Sequence, residues 1–500
     1  MVKKILFWLS ADLTYFFLAY HFQKIPNCEI YAIIDITDKP KKFFENQKLV
    51  NFKKIWFFHD NIKDTKNRIP DLEYLKSFEE EYNIDLWKLA INERVIYRFY
   101  NFHRFSSNEI LNIEEQSCKL FENVLQEINP DFIVSMDPKF HHLEIFYEMC
   151  LKKEITFLMP SYPNIGFRAI ISQIYNTPDN INEINFTKSQ NRNFQELQNY
   201  IKKLNLREQY KEFDEVFGGK IIEKINAGID FFIKSNNSNE KNHYNYYGRT
   251  KSKVLAYTIE NKLDTVKRKK FIDATLEKFI PKNKLFVYYP LGVDMEKSTL
   301  IQSPIITNQI EIIRQIAKSI PIDFTLFVKE HQGQISRGWR SIQEYKEIMD
   351  IPNVRLFHPD VSNEEMLTNC SLVATIGGTS GFEAAVYQKP SIVFSNAYYG
   401  ILPSVIIVDK ISELPKIIRN AIKINVNSDD VDRYLTFYEN NSFSFDYAKF
   451  GIHMMNHFYR AGNLVDVEIT EEQIKSFLIN HNYEIQIMLK EFLKKMNLSS

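Results

Sequence analysis

The stretch that decides the fold is Ser371-Leu-Val-Ala-Thr-Ile-Gly-Gly-Thr-Ser-Gly-Phe-Glu-Ala-Ala-Val-Tyr-Gln-Lys-Pro-Ser-Ile-Val-Phe394. It begins with a short apolar run, Leu372–Ile376, which predicts a buried strand. A glycine-rich turn follows, and after it come a helical segment over Gly381–Tyr387 and a second apolar run over Ser391–Phe394. A strand, a turn, a helix and a strand in this order are typical of parallel α/β structure.

The turn inside this stretch has the composition of a phosphate site. The chain has only 14 glycines, and three of them, Gly377, Gly378 and Gly381, lie within five positions here. Glycines at a strand–helix junction let a ligand approach the backbone closely. The helix that follows presents N–H groups to an anion, and Thr379 and Ser380 add hydroxyl donors. The turn therefore predicts phosphate binding.

Glu383 has two interpretations at this stage. It lies just inside the helix, where its carboxylate could reach the ribose hydroxyls beyond a bound phosphate. In the alternative the turn is purely structural: Ser380 caps the helix, and Glu383, three residues later, completes a capping box. The spacing alone leaves both open.

The same alternation of strands and helices runs along both halves of the chain. In the first half we predict a long helix and five strands: Ser107–Ile128, and Lys4–Leu9, Glu29–Ile34, Lys54–Phe58, Asp131–Met136 and Ile155–Met159. In the second half we add three strands and two helices: Lys284–Tyr289, Phe324–Val328 and Val354–Phe357, with Ile305–Ser319 and Glu364–Thr368. Two such blocks predict an α/β protein with two Rossmann-like domains that face each other across a cleft.

The domain boundaries follow from changes in composition. Residues 1–280 form the predicted acceptor-side domain, with a polar, mostly helical insertion at about 176–280 that includes a loop at Ser235–His243. Residues 281–430 form the predicted nucleotide-sugar domain, and residues 431–500 a helical tail. The Lys/Arg-rich stretch Lys251–Lys270 is interpreted as a solvated helix face, with a basic site as the alternative.

Composition excludes several classes of protein. The 500 residues hold 63 Lys+Arg and 63 Asp+Glu, so the formal net charge is 63 − 63 = 0, which argues against nucleic acid as the main partner. The four cysteines lie far apart and contain no CxxC pair, which favours reduced thiols in a cytoplasmic protein. The first apolar run stops too early for a signal peptide, and no apolar run is long enough to span a membrane.

A second polar motif follows a predicted strand of the second block. Lys329, Glu330 and His331 come directly after Phe324–Val328. Ligands of open α/β sheets bind outside the carboxyl ends of the strands, so these side chains are expected at the ligand site. The alternative is a polar loop with a surface histidine.

Both motifs belong to a longer pattern that resembles a known family. The pattern runs through Tyr288-Tyr-Pro-Leu291, Glu296-Lys-Ser-Thr299, Val328-Lys-Glu-His331, Pro352-Asn-Val354, Thr375-Ile-Gly-Gly-Thr-Ser-Gly-Phe-Glu-Ala384, Lys389-Pro390 and Phe394. It resembles the capsular polysaccharide synthesis family, which is similar to the Kdo transferases of capsule assembly and consists of GT-B glycosyltransferases. The resemblance covers roughly Lys284–Gly400. Two positions depart from the family pattern, Gln332 where proline is usual and Gly292 where histidine is frequent.

The resemblance implies a GT-B-like fold and roles for individual donor-side residues. His331 and Lys329, with Glu330 beside them, would serve the nucleotide phosphates of a sugar donor. The turn residues would cradle the phosphate and Glu383 would hold the ribose; the turn residues are Gly378, Thr379, Ser380 and Gly381. From its position, we expect His331 to be catalytic and to stabilise the leaving group as charge develops on it.

The acceptor side offers three candidates. Asp12 and Asp137 each follow a predicted strand, and a transferase needs a general base for the acceptor hydroxyl. For each aspartate the alternative is a residue of a turn. Arg168 is a candidate clamp for a lipid phosphate or an acidic sugar.

We predict no metal site and no cofactor. His453 and His457 lie one helical turn apart, but the Glu of the HExxH motif is absent. His141-His142 is not expected to form a ligand pair, and no Walker or dinucleotide motif occurs.

The predicted function is that of a cytoplasmic, metal-independent glycosyltransferase. It would move a sugar from a nucleotide-sugar donor to a capsule-type polysaccharide or its lipid-linked precursor, with peripheral contact with the inner membrane face. The alternatives are a polyol-phosphate transferase or a nucleotide-sugar epimerase on the same fold, and a non-catalytic binding partner in an assembly complex.

Overall fold

The computed structural model describes residues 2–98, 100–204, 221–234, 243–293, 300–301, 303, 307–334, 338–462 and 464–498. The strands in chain order are β1 (Lys3–Leu9), β2 (Cys28–Ile34), β3 (Ile55–Phe57), β4 (Phe132–Val134), β5 (Thr156–Ser161), β6 (Arg168–Ser172), β7 (Phe286–Pro290), β8 (Thr325–Lys329), β9 (Val354–Phe357), β10 (Leu372–Thr375), β11 (Ser391–Val393), β12 (Val405–Ile407) and β13 (Phe443–Ser444).

Helices connect these strands. Those before β7 are Thr14–Phe22, Asp38–Asn46, Phe58–Asn61, Leu72–Tyr82, Leu86–Asn92, Ser107–Ile128, His141–Lys152, Phe194–Lys203, Ile221–Ile229 and Lys251–Thr275. Those after β7 are Gln309–Ser319, Ile342–Met349, Asn363–Asn369, Ser380–Val386, Leu414–Ala421, Ser428–Asn440, Tyr447–Phe458, Glu471–Asn480 and Asn482–Lys495. Shorter helical turns lie at Arg94–Arg98, Ile181–Phe186, Asp230–Lys234, Tyr244–Tyr246, Gln332–Gln334, Ile411–Glu413 and Arg460–Gly462.

The strands form two sheets with the same order. The first runs β3-β2-β1-β4-β5-β6-β13, parallel through β5, with β6 and β13 antiparallel at one edge. The second runs β9-β8-β7-β10-β11-β12 and is parallel throughout. In each sheet the order reverses beside the first strand, so a switch point lies between β1 and β4 and another between β7 and β10. The predicted fold class, two Rossmann-like units, is confirmed.

The local sequence explains why these elements form. β1 reads Lys-Lys-Ile-Leu-Phe-Trp-Leu, a nearly continuous apolar run, because helices cover both faces of a parallel sheet. The helix Ser107–Ile128 has the predicted bounds. Ser106 begins it with a capping box to Glu109, and Asn129, in the left-handed conformation (φ 48°), ends it.

The C-terminal helices return to the first sheet. Phe17 stacks on Phe477 with ring centroids 5.0 Å apart and also contacts Phe458. β13 pairs with β6. The segment predicted as a tail is helical, as expected, and it completes the core of the N-terminal half.

A shallow pocket lies between the two halves of the chain. Glu93, Lys139 and His141 from the N-terminal half line it together with Leu300 and Ile301, from the segment after β7. The N-terminal half and the segment after β7 therefore approach each other at this pocket.

The predicted insertion contains the helices Phe194–Lys203, Ile221–Ile229 and Lys251–Thr275. The predicted loop at Ser235–His243 lies outside the described residues except for its last position. Within the described parts of the chain, no helix combines the length and the apolar composition needed to cross a bilayer.

Candidate functional site

Lys329 ends β8 and points to the carboxyl edge of the second sheet. The residue is buried, and its Nζ donates to Oδ1 of Asn363, at the start of the helix Asn363–Asn369. The hydroxyl of Tyr288 donates to the same oxygen over 3.2 Å. These partners fix the ammonium group, so the side chain is positioned before any ligand arrives.

Glu330 turns inward instead of towards the cleft. It is 1% exposed, and its Oε2 accepts from Arg340 Nε at 3.0 Å and from the Tyr345 hydroxyl at 2.6 Å. Its Oε1 accepts from the backbone N–H of His331 at 2.6 Å. Buried carboxylates need such partners. The geometry gives Glu330 a positioning role beneath the loop, and its predicted contact with the donor stays a prediction.

The loop after β8 holds one ring nitrogen of His331. Its Nδ1 accepts from the Gly333 N–H at 3.0 Å, which makes Nε2 the protonated nitrogen of the neutral ring. The pKa of His331 is lowered to about 4, chiefly because protein displaces water around the ring, and further because Lys329 and Arg340 are positive. At neutral pH the ring is therefore an uncharged Nε2–H donor.

Gly333 is required for this arrangement. A Cβ atom on Gly333 would lie 3.0 Å from His331 Nδ1 and 3.2 Å from Cε1. The missing side chain allows the backbone to approach the imidazole and hold its orientation.

The three glycines of the turn have different roles. A Cβ on Gly377 would meet Ser395 Oγ at 2.4 Å, and one on Gly381 would meet the Tyr399 hydroxyl at 2.4 Å. These two glycines therefore serve internal packing. Gly378 is exposed, and its N–H donates to Thr375 Oγ1 at 3.1 Å. Gly378 is the position where a ligand can approach the backbone.

The helix after the turn begins one residue earlier than the capping-box alternative requires. Its N-cap is Thr379, which makes no side-chain cap bond, and Ser380 is the first helical residue. Glu383 lies one position too far along for a capping box, so that alternative is wrong. Instead, the Thr379 hydroxyl donates to Glu383 Oε1 at 3.1 Å. The bond links the exposed turn to the carboxylate predicted to hold ribose.

The sheet brings the two donor-side motifs to one edge. Lys329 ends β8 and the glycine turn follows β10, and these strands flank β7. Two strand spacings amount to about 10 Å. A nucleotide, whose phosphate and ribose lie several ångströms apart, has the dimensions to contact both.

The two candidate bases meet at the other switch point. Asp12 follows β1 and Asp137 follows the adjacent strand β4. Both carboxylates act on Tyr162, whose pKa is raised well above its ordinary value, first by burial and then by these two charges. The structure therefore places both aspartates around one polar point. Asp12 Oδ1 also accepts from the Thr14 N–H at 3.1 Å, at the start of the first helix.

Lys139 is a residue that the sequence analysis missed here. Its Nζ lies 3.5 Å from Asp137 Oδ1, and the nearby charges of Asp137 and, less strongly, Asp12 raise the pKa of Lys139. Its position two residues after Asp137, beyond the end of β4, was the signal that could have identified it.

A buried ion-pair cluster supports this edge. His141 is 2% exposed; its Nδ1 lies 3.0 Å from Glu93 Oε2, and its Nε2 lies 3.2 Å from Glu114 Oε1. Burial opposes the charged ring, but the two carboxylates outweigh it and raise the pKa of His141 to about 10. The pKa of Glu93 is lowered to about 2, because bonds from His141 outweigh burial.

His142 belongs to a different cluster. Its Nε2 bonds to Asp35 Oδ2 at 2.9 Å, and His59 Nε2 bonds to Asp35 Oδ1 at 3.0 Å. These two bonds outweigh burial and lower the pKa of Asp35. His141 and His142 thus face separate carboxylates. Neither cluster has a spacing signal in the sequence.

Arg168 occupies a structural position at the start of β6. Its Nε donates to Ser442 Oγ at 2.6 Å, and its Nη2 donates to the carbonyls of Glu439 and Ser442 at 2.7 Å each. The guanidinium attaches the C-terminal segment to the first sheet, and its predicted anion-clamp role stays a prediction.

Within the described part of the chain, no group of three or more His, Cys, Asp or Glu side chains is placed to hold a metal ion. His457 Nε2 bonds to the Gln473 carbonyl at 3.0 Å, and His453 lies against His481, with ring centroids 5.0 Å apart.

Solved structures similar to this chain include several sugar-metabolising enzymes. Kdo transferase KpsC of Thermosulfurimonas dismutans is 12% identical over 75% of this chain and 96% of its own, with a TM-score of 0.30. UDP-GlcNAc 2-epimerase of Methanocaldococcus jannaschii is 13% identical over 88% of this chain and 100% of its own, with a TM-score of 0.26. Because these scores are low, the fold assignment rests on the strand order of this chain's own sheets.

Comparison with protein families gives a more local result. No curated protein matches the chain by sequence. The sequence model described as "Capsule polysaccharide biosynthesis protein" matches residues 211–402. This range contains β7–β11, Lys329, His331 and the whole glycine turn. The resemblance of the chain to the capsule polysaccharide biosynthesis family is therefore confirmed over residues 211–402.

Proposed function

We propose that this protein is a glycosyltransferase that moves a sugar from a nucleotide-sugar donor to a capsule-type polysaccharide or its lipid-linked precursor. The observation that carries the proposal is the pairing of Lys329 and His331 with the exposed turn at Gly378, at one edge of the second sheet. Cations, an N–H donor and an accessible glycine backbone are the groups that bind a nucleotide phosphate.

Donor activation rests on groups held in place beforehand. Lys329 supplies a fixed positive charge, and His331 supplies its Nε2–H to a phosphate oxygen. As the bond between the sugar and the leaving nucleotide breaks, negative charge builds on that oxygen and both interactions strengthen. Thr379 and Ser380 bind the phosphate in this proposal, and Glu383 binds the ribose. The charge is neutralised by protein groups, which makes the proposed transfer metal-independent.

Acceptor activation belongs to the opposite edge. Asp137 or Asp12 takes the proton from the acceptor hydroxyl. At the same time the oxygen of that hydroxyl bonds to the sugar carbon from which the nucleotide departs. The proton stays on the carboxylate and the electron pair of the broken bond stays on the nucleotide. Lys139, with its Nζ 3.5 Å from Asp137 Oδ1, orients that carboxylate.

The experiment starts with a panel of nucleotide sugars in a thermal-shift assay, followed by turnover on capsule oligosaccharide acceptors with and without EDTA. The proposal expects stabilisation by one donor class and transfer that the chelator leaves unchanged. Stabilisation without transfer to any acceptor would indicate a binding partner, and release of an isomerised donor would indicate an epimerase. Activity lost in EDTA and restored by Mg²⁺ would contradict the metal-independent step.

A further inference from the structure

The helix Lys251–Thr275 packs with one of its faces against the described part of the chain. Arg268 Nη1 donates to the Gly338 carbonyl at 3.0 Å, and Ile272 is fully buried in the core of the second sheet. Asn261 and Thr265, on the same face, lie beside Gly338. The rest of the helix surface is exposed among the described residues.

The opposite face carries a continuous apolar stripe. Leu255, Ile259, Leu263 and Val266 are 48%, 53%, 59% and 52% exposed. Their spacing of four, four and three residues places them on one side of the helix. Single exposed apolar residues are ordinary, but an aligned row over three turns is typical of a surface that binds an apolar partner.

Lysines surround this stripe. Six exposed lysines lie on the helix, against two exposed acidic residues, Glu260 and Asp273; the lysines are Lys251, Lys253, Lys262, Lys267, Lys269 and Lys270. On a helical projection with 100° per residue, Lys262 and Lys269 border one side of the stripe and Lys270 lies in line with it. The face is therefore both apolar and strongly basic, in a chain whose net charge is 0.

We propose that this face docks on an anionic lipid surface. Apolar side chains enter the boundary between headgroups and acyl chains, while the lysine stems extend their ammonium groups to the lipid phosphates. The charge argues against a second copy of the chain, because antiparallel pairing of two such helices would place the lysine borders against each other. The inference goes beyond the proposed function, since no step of the transfer uses this exposed face of the helix.

The test is cosedimentation of the full chain with vesicles of phosphatidylcholine alone or mixed with phosphatidylglycerol. We expect binding to the mixed vesicles only, weakened at high salt because exposed charges are screened. The variant Lys262→Gln/Lys269→Gln/Lys270→Gln should bind on the order of a hundredfold more weakly, since each lysine near such a surface contributes about a factor of five. The double variant Ile259→Gln/Leu263→Gln should also bind the mixed vesicles more weakly. This loss should persist at low salt, because it concerns apolar contacts.

The matched control is Lys76→Gln/Lys416→Gln/Lys490→Gln, which removes three exposed lysines from other helices and should bind like the wild type. Circular dichroism and thermal melting check that each variant is folded, and neither measurement depends on the proposed function. Equal binding by the two triple variants would overturn the inference. So would a dimer in sedimentation that Leu263→Gln dissociates, because it would make a second copy the occupant.

Discussion

The two switch points of this protein share one topology and differ in chemistry. Between β7 and β10 the edge offers an exposed glycine turn and the cations that flank His331. Between β1 and β4 it offers two carboxylates, Asp12 and Asp137, with tyrosines around them. In the proposed function, the same strand order thus supports an anion site on one side and a site for proton acceptance on the other. Fold sets the place of a site, and the residues at the strand ends set its chemistry.

The two edges also use a similar device to hold their residues. Behind His331 lies the buried pair Glu330–Arg340, with Nε and Oε2 3.0 Å apart. Behind the aspartates lies His141 between two carboxylates. Such pairs add little net stability but cost a great deal when one partner is removed. They indicate that both edges are built to keep their side chains fixed.

The largest expected effect is at the acceptor edge. Asp137→Asn, or Asp12→Asn if Asp12 is the base, should lower turnover by about 10²–10⁴-fold, because the acceptor hydroxyl loses its proton acceptor. Steady-state kinetics with saturating donor measures it. Asp131→Asn is the matched control, since Asp131 lies just before β4, at its opposite end, and pairs with Lys3. Full activity in both test variants would remove the general base from this edge.

The next effect concerns the support of that edge. His141→Gln or Glu93→Gln should lower the free energy of unfolding by about 3–5 kcal/mol, because each change removes one ionised member of the buried cluster and its attraction to the others. Because the pKa of His141 is raised in the folded protein, its charged form stabilises the fold fully below pH 6.5. This contribution is lost as the pH rises towards 10. Because the pKa of Glu93 is lowered in the folded protein, its carboxylate stabilises the fold fully above pH 4.5. This contribution is lost as the pH falls towards 2.

The destabilisation by these variants should therefore be greatest between about pH 4.5 and 6.5 and smaller outside this window. Urea denaturation of the wild type and of His141→Gln across pH 3–9 measures the difference. A difference that does not change with pH would show that the pair is not ionised in the folded protein.

His331→Ala tests the donor edge and should lower turnover about a hundredfold, with a smaller change in donor affinity. His331→Gln keeps an N–H donor near the Nε2 position and should restore part of the rate. Because the pKa of His331 is about 4, its titration should leave the rate unchanged between pH 6 and 8. A change in the rate near pH 6.5 that disappears in His331→Gln would contradict this account.

The glycine turn separates packing from ligand approach. Gly381→Ala should destabilise the protein by about 1–3 kcal/mol, since its Cβ would overlap the Tyr399 hydroxyl that donates to the Gly378 carbonyl. Gly378→Ala meets only Thr375 Oγ1 at 3.1 Å and should leave stability nearly unchanged while weakening nucleotide binding. Thermal melting and calorimetry together distinguish the two variants. Equal melting temperatures for both would contradict the assignment.

The sequence predicted local features of this fold and missed those that depend on distant partners. The helix Ser107–Ile128 and strand β9 were predicted with the observed bounds because hydrophobic periodicity and capping residues are local signals. The antiparallel pairing of β6 with β13 joins segments about 270 residues apart, and no local pattern encodes it.

The site shows the same limit. Strand ends in the sequence predicted where Lys329, Asp12 and Asp137 would lie. Glu330 was predicted to contact the donor, and this stays a prediction; the pairing of its carboxylate with Arg340 in the core was not predicted. Partner choice of this kind is set by tertiary packing, which spacing does not show.

The central claim is that the two edges divide the reaction, and nucleotide binding tests it most directly. Calorimetry with a panel of nucleoside mono- and diphosphates would compare the wild type with Glu383→Gln and Asp12→Asn/Asp137→Asn. The account predicts that Glu383→Gln weakens binding by about 1–3 kcal/mol, the cost of losing a charged hydrogen bond, while the double aspartate variant binds like the wild type and transfers no sugar. If affinity is unchanged in Glu383→Gln and lost in the aspartate variant, the nucleotide binds at the edge of the first sheet, beside the aspartates. That result would contradict the account.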